Sequence, residues 1–139
     1  LANAQASGVE LAGYVPDLRD AYERSAIVVV PLLSGGGTKL KVLEAMAMGR
    51  AVVTTSTGAE GIDARAGVEM EIAATDEDFA QKVCGLLRDP ERRDRMAVAA
   101  RALAERNFGW DVVNAQMLSA VESAIRSTNP SQPAVPCAE

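Results

Sequence analysis

The chain has 139 residues, 48% hydrophobic and 24% charged, with a formal net charge of −5 and no histidine. That is enough for one core but too little for two domains of ordinary size. The mixed, net-acidic charges without a basic block argue against a nucleic-acid partner. No apolar run approaches the roughly 18 residues that span a bilayer, and imidazole-based triads, histidine-rich metal sites and a histidine general base are excluded within these residues.

Taken in chain order, the apolar pattern alternates between strand and helix periods. VELAGYV (9–15) reads as a short strand over 9–13 with a turn at Pro16 and Asp17, and 18–26 as a short helix with Leu18, Ala21 and Tyr22 on one face. AIVVVPLL (26–33) is a continuous apolar run, the pattern of a parallel strand buried on both faces, here expected over 26–32. Three glycines follow, then a helix closed by Gly49. AVVTT (51–55) reads as another buried strand, TGAEGI as a loop, and 68–73 as a fourth strand. Beyond 74 everything reads as helix: 75–89 with an acidic first turn, a helix opened by Pro90 where proline is tolerated, and a last helix over 110–125. The order predicts an α/β fold, a Rossmann-like parallel sheet with flanking helices followed by further helices. Residues 1–126 form its ordered part, and 127–139 have the composition of a flexible tail. Cys84 is expected as a small buried hydrophobe, and Met46, Met48, Met70 and Met96 as core filling. Neither Cys84 nor Cys137 suggests a disulfide framework, which fits reduced thiols in the cytoplasm.

The segment SGGGTKLKVLEAMAMG (34–49) carries the chemistry. In an open parallel sheet, ligands bind beyond the carboxyl ends of the strands. Gly35, Gly36 and Gly37 stand at such an end, directly before a helix. Glycine lets backbone amides approach an anion closely, and a helix N-terminus offers free N–H groups. Thr38 adds a hydroxyl, while Lys39 and Lys41 add positive charge, so the segment suits a diphosphate. The alternative is a plain flexible connection. The helix is expected to bury Leu40, Val42, Leu43, Met46 and Ala47, with Lys41 and Glu44 at the margin of that arc. Glu44 is placed either to accept hydrogen bonds from paired ligand hydroxyls or to form an ion pair with Lys41.

These residues resemble the donor-binding half of GT-B glycosyltransferases of family 4, also called group 1. LEAMAMG (43–49) followed by AVVTT (51–55) has that family's order and spacing, and VELAGYVPDLRDAYERSAIVVVPL before it also fits, as does the closing helical region entered at Phe108 and Trp110. The resemblance implies that backbone amides at Gly36, Gly37 and Thr38 contact the diphosphate of a UDP-, GDP- or ADP-sugar, and that Glu44 hydrogen-bonds the ribose. Many members have a second glutamate eight positions earlier, touching the donor sugar. Gly36 stands there in this chain, so the donor sugar is not implied. The family's upstream basic pair and its acceptor-binding N-terminal domain have no counterpart after Leu1. The resemblance therefore implies a C-terminal piece of an enzyme that transfers a hexose with retention and without a metal or other cofactor. The piece alone would be inactive and would contribute no catalytic nucleophile. Its location would be cytoplasmic, peripheral to the inner membrane at most. In the resembled family the final helix crosses to the other domain, so 110–125 should pack less fully than the other helices.

Two other readings compete. One is a non-catalytic Rossmann-like module that binds a nucleotide or a protein. The other, a receiver-type domain, lacks the acidic strand ends it needs. Asp76, Glu77 and Asp78 invite a metal reading, but three acids at a helix start are what the helix dipole favours. Glu60 lies beyond the next strand at the same sheet edge, where it either approaches the ligand or is a solvated loop carboxylate. Gly58 beside it is donor-proximal on the first of these readings and a turn residue, like Gly61, on the second.

Overall fold

The computed structural model of the protein describes residues 8–128. A short helix α1 (Arg19–Arg24) leads into strand β1 (Ile27–Val30), and a glycine-bearing loop leads into α2 (Leu40–Ala47). Then come β2 (Ala51–Thr55), the single-turn α3 (Ser56–Ala59), β3 (Glu71–Ala73), α4 (Asp76–Arg88), α5 (Pro90–Phe108) and α6 (Trp110–Thr128). The three strands form one parallel sheet in the order β1-β2-β3, as the alternating pattern predicts.

The central strand organises the core. Ala51, Val52, Val53 and Thr54 are all fully buried, and the period of two sends their side chains to opposite faces. Val52 joins Val42, Met46, Met70 and Ala100 in one cluster, whereas Ala51 and Val53 meet Leu86 and Met96 in the other. Helix α5 serves both layers, with Met96 on one and Ala100, Leu103 and Ala104 on the other. Met46, Met70 and Met96 are core filling as expected, each buried side chain worth ~1.5–3 kcal/mol. Met48 is only half-buried.

Five expectations are corrected. Residues 9–13 form no strand, and Val9 and Leu11 are exposed. A strand requires a ladder partner for its backbone groups, and among the described residues none lies beside this segment. The fourth expected strand shrinks to 71–73, because Gly67 at φ 78° turns the chain and leaves an isolated bridge between Ala66 and Met70. Val29 in β1 is 48% exposed, so among the described residues this strand is not buried on both faces. Helix α2 buries Val42, Ala45 and Met46 but exposes Leu40 and Ala47, so its inward arc is narrower and turned from the expected one. Cys84 is exposed rather than buried, on the outer side of α4 from Leu86.

The last helix packs least, as expected: Trp110 is 80% and Met117 62% exposed. It continues through Thr128, past the end expected at 125, and the rest of the expected tail lies outside the described residues. No strand follows Asp76 among the described residues, and no helix there is long and apolar enough to cross a membrane.

Candidate functional site

Residues 31–39 carry the chain from the end of β1 over the carboxyl edge of the sheet into α2. Gly35 at φ 136° and Gly37 at φ 80° occupy backbone conformations that side chains disfavour, so the shape of the loop itself demands glycine there. Gly36 differs. Its φ is not positive, and a Cβ added to it would meet nothing within 4 Å. Nothing in the conformation or packing of the described residues requires glycine at that position. The loop borders a cavity of about 270 Å3 whose lining includes Ser34, Gly35, Gly36, Thr38, Lys39 and Lys41.

Helix α2 begins without a side-chain cap; Lys39 occupies the N-cap position, and its side chain accepts nothing. By contrast, Thr55, Thr75 and Asp89 each accept a backbone N–H at the starts of α3, α4 and α5. A helix start presents partial positive charge to whatever lies in front; at α2 the Leu40 and Val42 N–H groups donate to the Thr38 and Lys39 carbonyls at 2.9 and 3.0 Å.

The two lysines are placed very differently. Lys41 is exposed on the rim. Lys39 is 6% exposed, and its ammonium donates to the Gly35 carbonyl at 2.6 Å. The Glu60 carboxylate lies 3.8 Å from the same nitrogen, beyond hydrogen-bond distance, with its side chain 72% exposed. An ammonium has three donors, so one is spent on shaping the glycine loop while the buried charge stays at the cavity wall. Glu60 thus approaches Lys39, which lines the glycine-loop cavity, but itself borders a separate cavity with Ser56, Thr57 and Ile72 and is largely solvated.

Glu44 lies one turn into α2, on the face that runs from Leu40 and Lys41 to Ala47 and Met48. Lys41 and Glu44 form no ion pair among the described residues; the group that meets the carboxylate is the Tyr22 hydroxyl, donating to Oε2 at 3.1 Å. A second cavity of about 400 Å3 opens there, bordered by Val15, Pro16, Leu18, Tyr22, Glu44 and Met48. The same face of α2 thus joins the glycine loop at one end to this cavity at the other. Tyr22 is a residue that pattern reading did not connect with Glu44. It was legible only as part of an apolar helix face, and its partner is 22 residues away.

Gly58 has a structural task. A Cβ there would sit 2.0 Å from Thr54 Oγ1, so close packing of α3 on β2, rather than turn geometry, excludes any side chain; Gly61, at φ 79°, is the turn residue. Thr54 donates to the Val30 carbonyl at 2.9 Å, within the last β1–β2 pair, and Thr55 to the Leu32 carbonyl at 2.5 Å, beyond it. The acidic run resolves as a cap: Thr75 Oγ1 accepts from the Asp78 N–H, and Asp78 accepts from the Ala74 N–H at 2.9 Å. The Lys82 ammonium, and then the Ala74 amide, hold the Asp78 carboxyl below its ordinary range. Asp78 is thus committed to its own helix.

The family model described as glycosyl transferases group 1 matches residues 1–89. A curated protein of Klebsiella pneumoniae, described as an uncharacterized 44.6 kDa protein in the cps region, is 30% identical over 92 residues. The alignment covers 66% of this chain and 24% of that protein, so the chain matches about a quarter of its relative's length.

Proposed function

The chain belongs to the group 1 glycosyl transferases, and from that premise we propose that it binds the nucleotide of a nucleotide-sugar donor along α2. The observation that carries the reading is the start of that helix. It is uncapped, it is preceded by a glycine at 36 that the chain's own conformation does not require, and it is flanked by the buried ammonium of Lys39. The charge of a diphosphate is favoured there by the helix dipole and by Lys39 and Lys41, although the Leu40 and Val42 N–H groups already donate to the Thr38 and Lys39 carbonyls. The amides of Gly35, Gly36 and Gly37 and the Thr38 hydroxyl complete the cradle. Glu44 receives the ribose hydroxyls one turn along, and the cavity beside Tyr22 offers room for the base.

In the transfer reaction, this chain's part is to stabilise the charge that develops on the departing diphosphate. Oriented amides and a desolvated ammonium do this without reorganising at the moment of reaction. The sugar passes to an acceptor with retention of configuration. Holding that acceptor in line accounts for roughly 7–11 kcal/mol of barrier lowering, and we assign that task to a domain outside residues 1–126, so these residues alone transfer no sugar at a measurable rate. The reading keeps the cytoplasmic location expected from the sequence. Glu60, beside Lys39, is the second residue we place near the donor; Gly58 reaches it only by letting α3 pack close.

Calorimetric titration with UDP, GDP and ADP tests the reading. Glu44→Ala should weaken the best ligand by about 1.5–3 kcal/mol, the loss of a charge-assisted contact. Equal affinity of the two proteins would remove the ribose assignment. Failure of every diphosphate to bind the unaltered chain would remove the phosphate assignment as well.

A further inference from the structure

We infer that Tyr22 is a positioning residue for nucleotide binding: its hydroxyl anchors one oxygen of Glu44 so that the carboxylate is held ready for the ribose hydroxyls. This rests on the ribose reading of Glu44 given above. Glu44 is exposed on α2, and an exposed glutamate samples many rotamers whose loss opposes any contact that freezes it. Tyr22 removes part of that freedom before a ligand arrives. The donor is itself fixed. Its ring is half-buried against the cluster that contains Val30, Val42 and Met46, and its backbone is tied on both sides, Tyr22 N–H to Leu18 at 3.0 Å and Ser25 N–H to the Tyr22 carbonyl at 3.1 Å. The contact thus links a rigid ring to a movable carboxylate, with Oε2 the atom held, at 3.1 Å.

The remaining chemistry fits a diol. An ionised carboxylate offers about four acceptor positions, and Tyr22 occupies one of them. Oε1 and the rest of Oε2 stay available to two hydroxyls, so anchor and ligand do not compete. Burial, and then the hydrogen bond to Glu44, raise the Tyr22 pKa above its ordinary value, which keeps the hydroxyl a donor. Both residues border the same cavity of about 400 Å3, so the anchor stands at the site's wall rather than behind it.

The test is titration of the full chain, unaltered and as Tyr22→Phe, Glu44→Ala and the double variant, with UDP, GDP and ADP and with their 2′,3′-dideoxy counterparts. Phenylalanine keeps the buried ring and removes only the hydroxyl, and a thermal melt checks that the fold is retained. Tyr22→Phe should weaken the ribonucleotides about three- to tenfold, the range of a single hydrogen bond, and leave the dideoxy compounds unchanged. In the Glu44→Ala background it should add nothing, because the effect passes through that carboxylate. Equal weakening of both ligand sets would mean a merely structural tyrosine and overturn the proposal. Tighter ribonucleotide binding by Tyr22→Phe would overturn it too, since the hydroxyl would then be a competitor. If Glu44→Ala loses affinity while Tyr22→Phe does not, positioning fails and the ribose reading stands. If Glu44→Ala binds normally, or no diphosphate binds the unaltered chain, both fall together.

Discussion

The end of β1 and the end of β3 lie on the same edge of one sheet, and each delivers the chain to a helix, yet the two junctions are finished in opposite ways. After β3 only Ala74 and Thr75 intervene, and the chain closes on itself: Thr75 and Asp78 satisfy each other's turn, and Lys82 neutralises the carboxylate. After β1 the chain takes nine residues (31–39), and α2 starts uncapped with a buried ammonium beside it. The junction between β2 and α3 resembles the closed one, with Gly58 packed against Thr54. The difference separates two uses of the same physics. Amides at a helix start need acceptors; a side chain supplies one at α3, α4 and α5, whereas at α2 only the Thr38 and Lys39 carbonyls do, and it is this junction that we propose faces the ligand.

The contrast can be broken by substitution. The largest effect should come from Gly58→Val, because a side chain 2.0 Å from Thr54 Oγ1 forces α3 off the sheet; denaturant melts should show a loss of about 3 kcal/mol, and a loss near zero would refute the closed description. Next is Gly36→Val, which meets no neighbour within 4 Å. Its melt should shift by no more than ~0.5 kcal/mol, while affinity for the diphosphates falls at least about tenfold, or ~1.4 kcal/mol. A variant that binds normally would show that Gly36 is loop filling. Thr75→Ala should do the reverse, costing about 1 kcal/mol of stability as a lost cap with unchanged nucleotide affinity.

The smallest effect is on pH dependence. The folded-state pKa of Asp78 is depressed from 3.8, so its contribution is present above that value and is lost as pH falls through the depressed one. The advantage of the unaltered chain over Asp78→Asn should therefore be seen at neutral pH and vanish in strong acid. Glu69, held by Arg65, is depressed from 4.5 and adds to the same acid-side loss. An advantage that persisted at the lowest pH would mean that the carboxylates contribute by packing rather than by charge.

Local chemistry made much of this legible in the sequence. The continuous apolar run at 26–33, which holds a strand over 27–30 rather than the expected 26–32, the run at 51–55, Pro90 at a helix start, the acidic turn at 76–78 and the glycine-before-helix arrangement each follow from neighbours a few residues apart. Periodicity also located α2 and its two outward charges. What sequence could not determine depends on partners far along the chain. A strand at 9–13 needs a ladder that no described residue provides. Gly58 is required by a threonine on another element and not by its own dihedral angle. That Lys39 is buried with its ammonium on the Gly35 carbonyl, and that Glu44, open in sequence to ligand hydroxyls or to Lys41, meets the Tyr22 hydroxyl from α1, is set by packing. Local propensity is a property of a few consecutive residues. The direction of a side chain, and which group satisfies its hydrogen bonds, is set only when elements pack and exclude water, so the partners of Lys39 and Glu44 belong to tertiary structure.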